Sequence, residues 1–440
     1  MNDARTRTAA GQYGVLRRST ALPLLSLVSG LSLLLAACGP TSDTTTPVAV
    51  TPAVGATATG APTAMSGTTV TTTGTAMVGG AGDATATSGG TSGGKKYSIG
   101  ILQTSTHPAL DFTREGIKQA FIQAGMVEGK TITFDVRNAE LDAPTAAKMA
   151  DAFIANKVDA IVTIGSPATA AALNETKKAA SSIPIFFSAV ADPYGPGFAG
   201  TKEGDTLTAD PHLHPANMTG VQAFPPVEEG MKLIQEVKPG IKTVGLLWNP
   251  NEPNSAATTT EARRVAAKLG INLQDRSATK PADTLDAAGT LAQHGAEALF
   301  VSTTNSVVNG LDSVVRVAQE NSVPLFGNDP LSASRGAVAA QGLDYTQNGL
   351  EAGQMAVQVL TGKATIKSLD VQRTTKESLC INTKAAELQK VTLPAALIAR
   401  AKGCTYTEIK TPLPPAPAAG TVPPATPAPV GTPVPAVKVP

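Results

Sequence analysis

The chain has 440 residues, 35 basic and 34 acidic side chains, a net charge of +1 and only 4% aromatics. That near-neutral balance argues against nucleic acid or another polyanion as partner. The 41 glycines and 33 prolines crowd toward the two ends, so the globular part is shorter than the whole, yet still long enough for two domains.

At the amino end, Arg17 and Arg18 precede an apolar run from Ala21 to Leu35, broken by Pro23, Ser26, Ser29, Gly30 and Ser32. A charged start, a short apolar run and small residues before a cut mark a secretory signal. A plain membrane anchor is the competing reading, and the shortness of the run counts against it. The run ends L-A-A-C-G at Cys38, which resembles the lipobox of bacterial lipoproteins. The resemblance implies a signal peptide over 1–37, cleavage before Cys38, a diacylglyceryl thioether on its sulfur and a membrane tether outside the cytoplasm. Residues 38–95 are mostly Thr, Gly, Ala and Ser with almost no charge, and they predict a flexible tether with a typical reach of about 40 Å. Apart from Cys38 the cysteines are Cys380 and Cys404. Disulfides persist outside the cytoplasm, so these two are expected to bridge and pin the C-terminal segment. Two unpaired buried thiols are the alternative.

Regular elements begin near Lys95. Tyr97 to Gln103 predicts a buried strand, Leu110 to Ala124 a helix with Phe112, Ile117, Phe121 and Ile122 inward, and Thr131 to Arg137 a second strand. Helices follow over Pro144 to Ala155 and Pro167 to Ala180, with strands over Val158 to Ile164 and Ile183 to Val190. Asp192 to Pro215 is a long Gly/Pro loop. The alternation then resumes. A helix near Val227 leads to a strand from Lys242 to Trp248, a helix from Ala256 to Leu269 and a strand from Ile271 to Arg276. Beyond it, Leu285 to His294 and Val308 to Gln319 read as helices, and Ala298 to Ser302 and Val323 to Phe326 as strands. Ala337 to Gln341 predicts a short strand, Tyr345 to Leu360 a helix, and the segment to Ala401 edge pieces and short helices. Such alternation predicts an α/β chain of two doubly wound parallel-sheet lobes joined by a hinge. The expected division is 96–222 with 337–368 for the N-terminal lobe, 223–336 with 369–404 for the C-terminal lobe, and a disordered Pro-rich tail over 405–440.

Polar residues gather where strands end and helices start. They include Thr104 and His107 after the first strand, Ser166 with Pro167, Ser188 to Asp192, Asn249 to Ser255, Ser302 to Asn305, and Asn328 with Asp329. In open α/β sheets ligands bind outside the carboxyl ends of the strands, so these positions predict one cleft. Ser166 reads as a helix cap with Pro167 at the first helical position. Helix starts at Ser166 and Ser255 suit a carboxylate, and Asp192, Glu252 and Asp329 suit an ammonium. Phe187, Tyr194, Phe224 and Trp248 are candidate apolar walls, with a core role equally open for Trp248.

Q-T-S-T-H-P-A-L-D from Gln103, P-I-F-F-S-A-V-A-D-P from Pro184, N-M-T-G-V from Asn217 and V-G-L-L-W-N-P-N-E-P-N-S from Val244 resemble the solute-binding lipoproteins of an ABC-importer family with tryptophan- and phenylalanine-binding members. The resemblance spans about Lys96 to Gly403 and implies the type I periplasmic-binding-protein fold. It implies ligand contacts from Glu252, Asn254 and Ser255, with Thr104, Ser166, Ala189, Val190 and Asp192 on the facing lobe, and from Thr304, Asn305 and Asp329. This chain departs from the family at Thr304, where an acidic residue is usual, and in its longer loop after Asp192. The implied partners are a small solute, an ABC permease with its ATPase, and the membrane through Cys38, with no nucleic acid.

Two motifs are expected to be accidental. Gly195 to Gly200 spells G-x-G-x-x-G but is followed by T-K-E-G-D, not by the helix a dinucleotide site requires. His212 and His214 lack further ligands for a metal. No cofactor or metal is expected. A hydrolase using Ser166 lacks both the G-x-S-x-G context and an evident base. A transport receptor closing on a small solute, an amino acid with an aromatic leaning, is thus the leading expectation. A sensory or scaffold lipoprotein of the same fold is the alternative.

Overall fold

The structure, a computed structural model, describes residues 95–203 and 206–410. Cys38, the signal segment, nearly all of the tether, and the tail beyond Lys410 lie outside the described residues.

The first lobe opens with β1 (Tyr97–Gln103), α1 (Pro108–Gln123), β2 (Ile132–Asn138), α2 (Ala143–Ala155), β3 (Ala160–Ile164), α3 (Ser166–Lys178) and β4 (Ile185–Val190). The long loop that follows holds a small hairpin, β5 (Thr201–Glu203) and β6 (Thr206–Thr208), before β7 (Met218–Gln222) returns to the sheet. The second lobe contains α4 (Val227–Val237), β8 (Thr243–Trp248), α5 (Pro253–Leu269), β9 (Asn272–Ser277), α6 (Thr284–Gln293), β10 (Ala298–Val301), α7 (Asn305–Asn309), α8 (Leu311–Asn321), β11 (Leu325–Gly327) and β12 (Ala339–Leu343). The remaining elements are α9 (Tyr345–Leu360), β13 (Gln372–Arg373), β14 (Glu377–Asn382), α10 (Thr383–Leu388), α11 (Ala395–Arg400) and β15 (Thr405–Tyr406).

One sheet runs β13-β7-β4-β3-β1-β2 and the other β15-β14-β12-β11-β10-β8-β9. Each therefore contains a parallel block in which the second strand lies outside the first and the third to fifth follow on the other side. In that order the chain reverses direction between its first and third strands, at β1/β3 in one lobe and β8/β10 in the other, which is where open sheets place ligands. β14 breaks the all-parallel expectation, since it pairs antiparallel with β12. Apolar clusters cover both faces of each sheet: Ile101, Phe121 and Phe186 on one side of the first, Leu102, Phe153 and Phe187 on the other. Leu246, Phe300 and Phe326 fill one side of the second, Leu299, Val314 and Leu325 the other.

The lobe boundaries differ from expectation in two places. β12 pairs with β11 in the second sheet, so 337–343 belongs to that lobe. β13 pairs with β7, so 372–373 belongs to the first. The chain crosses the hinge three times, and the second and third crossings fall after Leu343 and Arg373 rather than after 336 and 368. After Leu343 the chain passes to the first lobe, where Asp344 caps α9 through Gln347 N–H at 3.0 Å and α9 packs along α1. The α1–α9 packing is tight, because a Cβ on Gly349 would strike the Thr113 carbonyl. The crossing strands are tied to each other: Thr374 N–H donates to Gln222 O at 3.0 Å and Asp344 N–H to Lys376 O at 2.9 Å. Cys380 and Cys404 form a disulfide, Cα to Cα 4.7 Å, that fastens the last segment to the second sheet.

Candidate functional site

The two switch points face each other across a cavity of about 20 Å³ lined by residues of both lobes. From the first lobe come His107, Ala109 and Leu110 at the start of α1, Ala189 and Ala191 at the end of β4, Ala223 after β7, and Tyr345 at the start of α9. From the second come Asn254, Thr303, Asn305, Val308 and Asp329. Half of the lining residues are small or apolar and half carry polar groups.

The residues expected in the site divide into two sets. Ala189, Asn254, Asn305 and Asp329 stand on the cavity wall. Thr104, Ser166, Val190, Asp192, Glu252, Ser255 and Thr304 stand behind it, and most are engaged within their own lobe. Thr104 Oγ1 donates to Ile164 O at 2.9 Å and accepts from Ala168 N–H at 3.2 Å, tying β1 to the start of α3. That bond replaces a Ser166 cap. Gly165 is the cap residue, at φ 93°, and Ser166 is already helical, with a buried hydroxyl lacking a partner among the described residues. Val190 lies in the first-lobe core. Asp192 Oδ1 accepts from Tyr194 and Gly195 N–H at 2.8 and 3.1 Å, which closes a turn of the long loop.

Glu252 is the most fully engaged of these residues. Its carboxylate is 5% exposed and is filled by N–H donors of its own lobe. Oε1 accepts from Asn249 Nδ2 and Ser306 N–H, both at 3.0 Å. Oε2 accepts from Asn305 N–H at 2.8 Å and Asn305 Nδ2 at 2.6 Å. A carboxylate so occupied stabilises the free amino end of α7 and has little left for an ammonium. Ser255 Oγ accepts from Asn249 N–H at 2.8 Å and pairs with Thr304 Oγ1 at 2.7 Å. The β8–α5 and β10–α7 loops are thereby locked together.

Asn254 and Asp329 differ from these. Asn254 Nδ2 donates to Thr303 O, which leaves Oδ1 buried with no partner among the described residues. Asp329 accepts one bond, from Leu331 N–H at 3.0 Å, and burial pushes its carboxyl up to about 6, opposed by that bond and by Arg335. Ala189 sits at φ 52° where the β4–β7 register shifts, and its N–H is held by Asn348 Oδ1 at 2.7 Å. A bulge of this kind re-aims the end of a strand toward a site.

The aromatic walls also need correction. Phe187 is in the first-lobe core, with Tyr194 packed against it; Phe224 packs on the second-lobe core, and Trp248 lies beneath Arg263 at 5.0 Å. Tyr345 and His107 are the rings on the cavity wall among the described residues. Tyr345 carried no signal beyond its place after a helix cap. His107 stood in view at a strand end, but as a helix-entry residue rather than a wall. The Gly195 to Gly200 segment leads into the β5–β6 hairpin instead of a helix, and no metal-holding cluster occurs among the described residues. Among those residues no helix is long and apolar enough to cross a membrane.

Two α/β lobes on a three-stranded hinge, closed over a buried cavity at their facing switch points, define a solute-binding protein. Residues 98–404 match the family of ABC transporter substrate binding proteins, and the chain belongs to that family. It is 30% identical over 304 residues, 68% of this chain and 84% of the relative, to a tyrosine-binding protein of Clostridioides difficile strain R20291. A conserved domain protein of Vibrio cholerae O1 biovar eltor overlays with a TM-score of 0.64 at 32% identity, over 71% of this chain and all of the other. An ABC domain from Streptococcus pneumonia in complex with L-Trp overlays with 0.63 at 26% identity, again over 71% and all. A ligand-free, open substrate-binding protein with adhesive properties from Clostridium difficile, 29% identical over the same shares, scores 0.53. The chain is thus an extracytoplasmic binding protein and not an enzyme; it takes a small solute and works with a permease and its ATPase.

Proposed function

We propose that the protein is a lipid-anchored receptor that closes on an amino acid, with a leaning toward aromatic side chains, and delivers it to the permease. The observation that carries this is the polar content of the cavity. Asp329 and Asn254 Oδ1 are acceptors without adequate partners, which suits an ammonium. Opposite them Ala109 and Leu110 belong to the first turn of the 16-residue α1, where backbone N–H groups lack partners within the helix. Such a helix start suits a carboxylate. The tyrosine-binding relative and the L-Trp complex support the same class. The closer overlay on the L-Trp complex than on the open protein, at similar identity, supports a closed arrangement. The L-A-A-C-G sequence at Cys38 supports anchoring by acyl chains.

The test is a thermal-shift and calorimetric screen of the purified chain against the amino acids. A bound one at a hundred times its dissociation constant stabilises by about 2.7 kcal/mol, with L-tyrosine and L-tryptophan expected among the strongest. No shift with any amino acid overturns the assignment. For the anchor, Cys38→Ser should release the protein from the membrane fraction.

A further inference from the structure

His107 and Asn305 belong to opposite lobes, and His107 Nε2 lies 3.0 Å from Asn305 Oδ1. The hydrogen positions along this contact follow from its neighbours. Glu252 Oε2, 2.6 Å from the Asn305 side-chain amide, can only accept there. The amide nitrogen therefore faces Glu252 and the amide oxygen faces His107. An amide oxygen also only accepts, so Nε2 must carry the hydrogen. In a neutral imidazole the other nitrogen is then a bare acceptor. Burial pushes the His107 imidazole below its ordinary value, against the opposing pulls of the Asn305 bond and of Asp111, so the neutral ring prevails at pH 7. The ring is 7% exposed and lines the cavity, and its Nδ1 is buried without a partner among the described residues.

We propose that His107 is a positioning residue with two linked tasks: Nε2–H joins Asn305 of the facing lobe, and Nδ1 accepts an N–H or O–H of the bound solute. Glu252 sets the tautomer through Asn305, so the same ring that bridges the closed lobes recognises a hydrogen-bond donor and disfavours an acceptor placed at that point. The proposal rests on the reading of the cavity as an amino-acid site only for its choice of probes. The donor has two possible sources in such a solute, the ammonium or a side-chain hydroxyl.

The full chain and its His107→Gln variant should be titrated calorimetrically with L-tyrosine, L-phenylalanine and 3-(4-hydroxyphenyl)propionate. Glutamine keeps an N–H for Asn305 but offers no acceptor in the place of Nδ1. L-tyrosine affinity should fall about 10- to 100-fold. The preference for L-tyrosine over L-phenylalanine should collapse if the donor is the phenol, and the preference over the desamino compound if it is the ammonium. Unchanged affinity, or a loss that leaves both preferences intact, would overturn the proposal. If the unaltered chain binds none of the three probes, the amino-acid reading falls instead, and the proposal is judged by nitrogen-15 spectra of the histidine-labelled protein. His107→Gln assigns the signal among the four histidines. A neutral ring protonated on Nε2 is expected at pH 7; a ring protonated on Nδ1, or an imidazolium, overturns it.

Discussion

Glu252→Gln separates a carboxylate that holds the site together from one that holds ligand. The change swaps one acceptor oxygen for an NH2 at nearly constant volume, in a side chain that is 5% exposed. If the remaining oxygen stays with Asn305, where two donors converge, the new NH2 faces Ser306 N–H and Asn249 Nδ2. Asn249 Nδ2 retains Thr279 O at 3.2 Å and Ser306 Oγ at 3.1 Å. Ser306 N–H loses the bond it makes at 3.0 Å. An orphaned buried N–H costs about 1–3 kcal/mol, and losing the charge on the surviving bonds adds roughly 1 kcal/mol. A total of about 3 kcal/mol should lower the melting temperature of the second lobe by roughly 6–12 °C. Differential scanning calorimetry measures that fall, and titration with L-tyrosine measures binding on the same sample. Affinity should drop less than about tenfold, because Glu252 reaches the ligand only through the side chains of Asn305 and Asn254. An unchanged melting temperature with affinity reduced more than about a hundredfold would refute the reasoning and make Glu252 a direct partner of the ammonium.

Asp329 gives a pH dependence of definite sign. Its folded-state value of about 6 lies above the ordinary value of 3.8, so the ligand-free protein binds more protons than the unfolded chain between those limits. Stability should therefore fall as pH rises from about 4 to 6, by roughly 3 kcal/mol, while L-tyrosine affinity rises as the carboxylate forms. Asp329→Asn should flatten the stability profile and weaken binding at pH 7; an unaltered profile by denaturant titration would rule this out. The disulfide closes a loop with a sequence separation of 24, worth about 3.5 kcal/mol on chain-entropy grounds. Cys380→Ser with Cys404→Ser should lower the denaturation midpoint accordingly without altering ligand affinity, and an unchanged midpoint would count against that pinning role.

The fold was legible because its determinants are local. Strands such as Thr243–Trp248 are short apolar runs between polar turns, and Gly270 closes α5 as a left-handed cap, although the helix opens at Pro253, ahead of its expected start at Ala256. The lobe boundaries were less legible, because β12 and β13 join their sheets by long-range pairing that five- and two-residue segments do not advertise. The site was legible as an address and not as a list of contacts. Polar residues at strand ends do converge on the cleft. Which of them keep an unengaged atom depends on partners remote in sequence, such as Ser306 for Glu252 or Ala168 for Thr104. Ser255 and Thr304 satisfy each other 49 residues apart, and nothing in either neighbourhood announces it.

That distribution of engaged and unengaged atoms bears on how such a receptor works. In the second lobe the two loops at the switch point are tied by Glu252 and by the Ser255–Thr304 pair; in the first, Thr104 ties β1 to the start of α3. Each rim is thus tied together by polar residues at its strand ends. Between the rims, Asn254 and His107 retain unmatched acceptor atoms among the described residues, and Asp329 stands beside them on the wall with one hydrogen bond, from Leu331 N–H. Closure driven by ligand requires differential contact with the two states, and an acceptor buried without a partner supplies it. Closing an empty cleft leaves that acceptor dehydrated and unmatched, at about 1–3 kcal/mol each, while a solute with matching donors removes the penalty. On the proposed reading, the specificity of this cleft resides in few atoms.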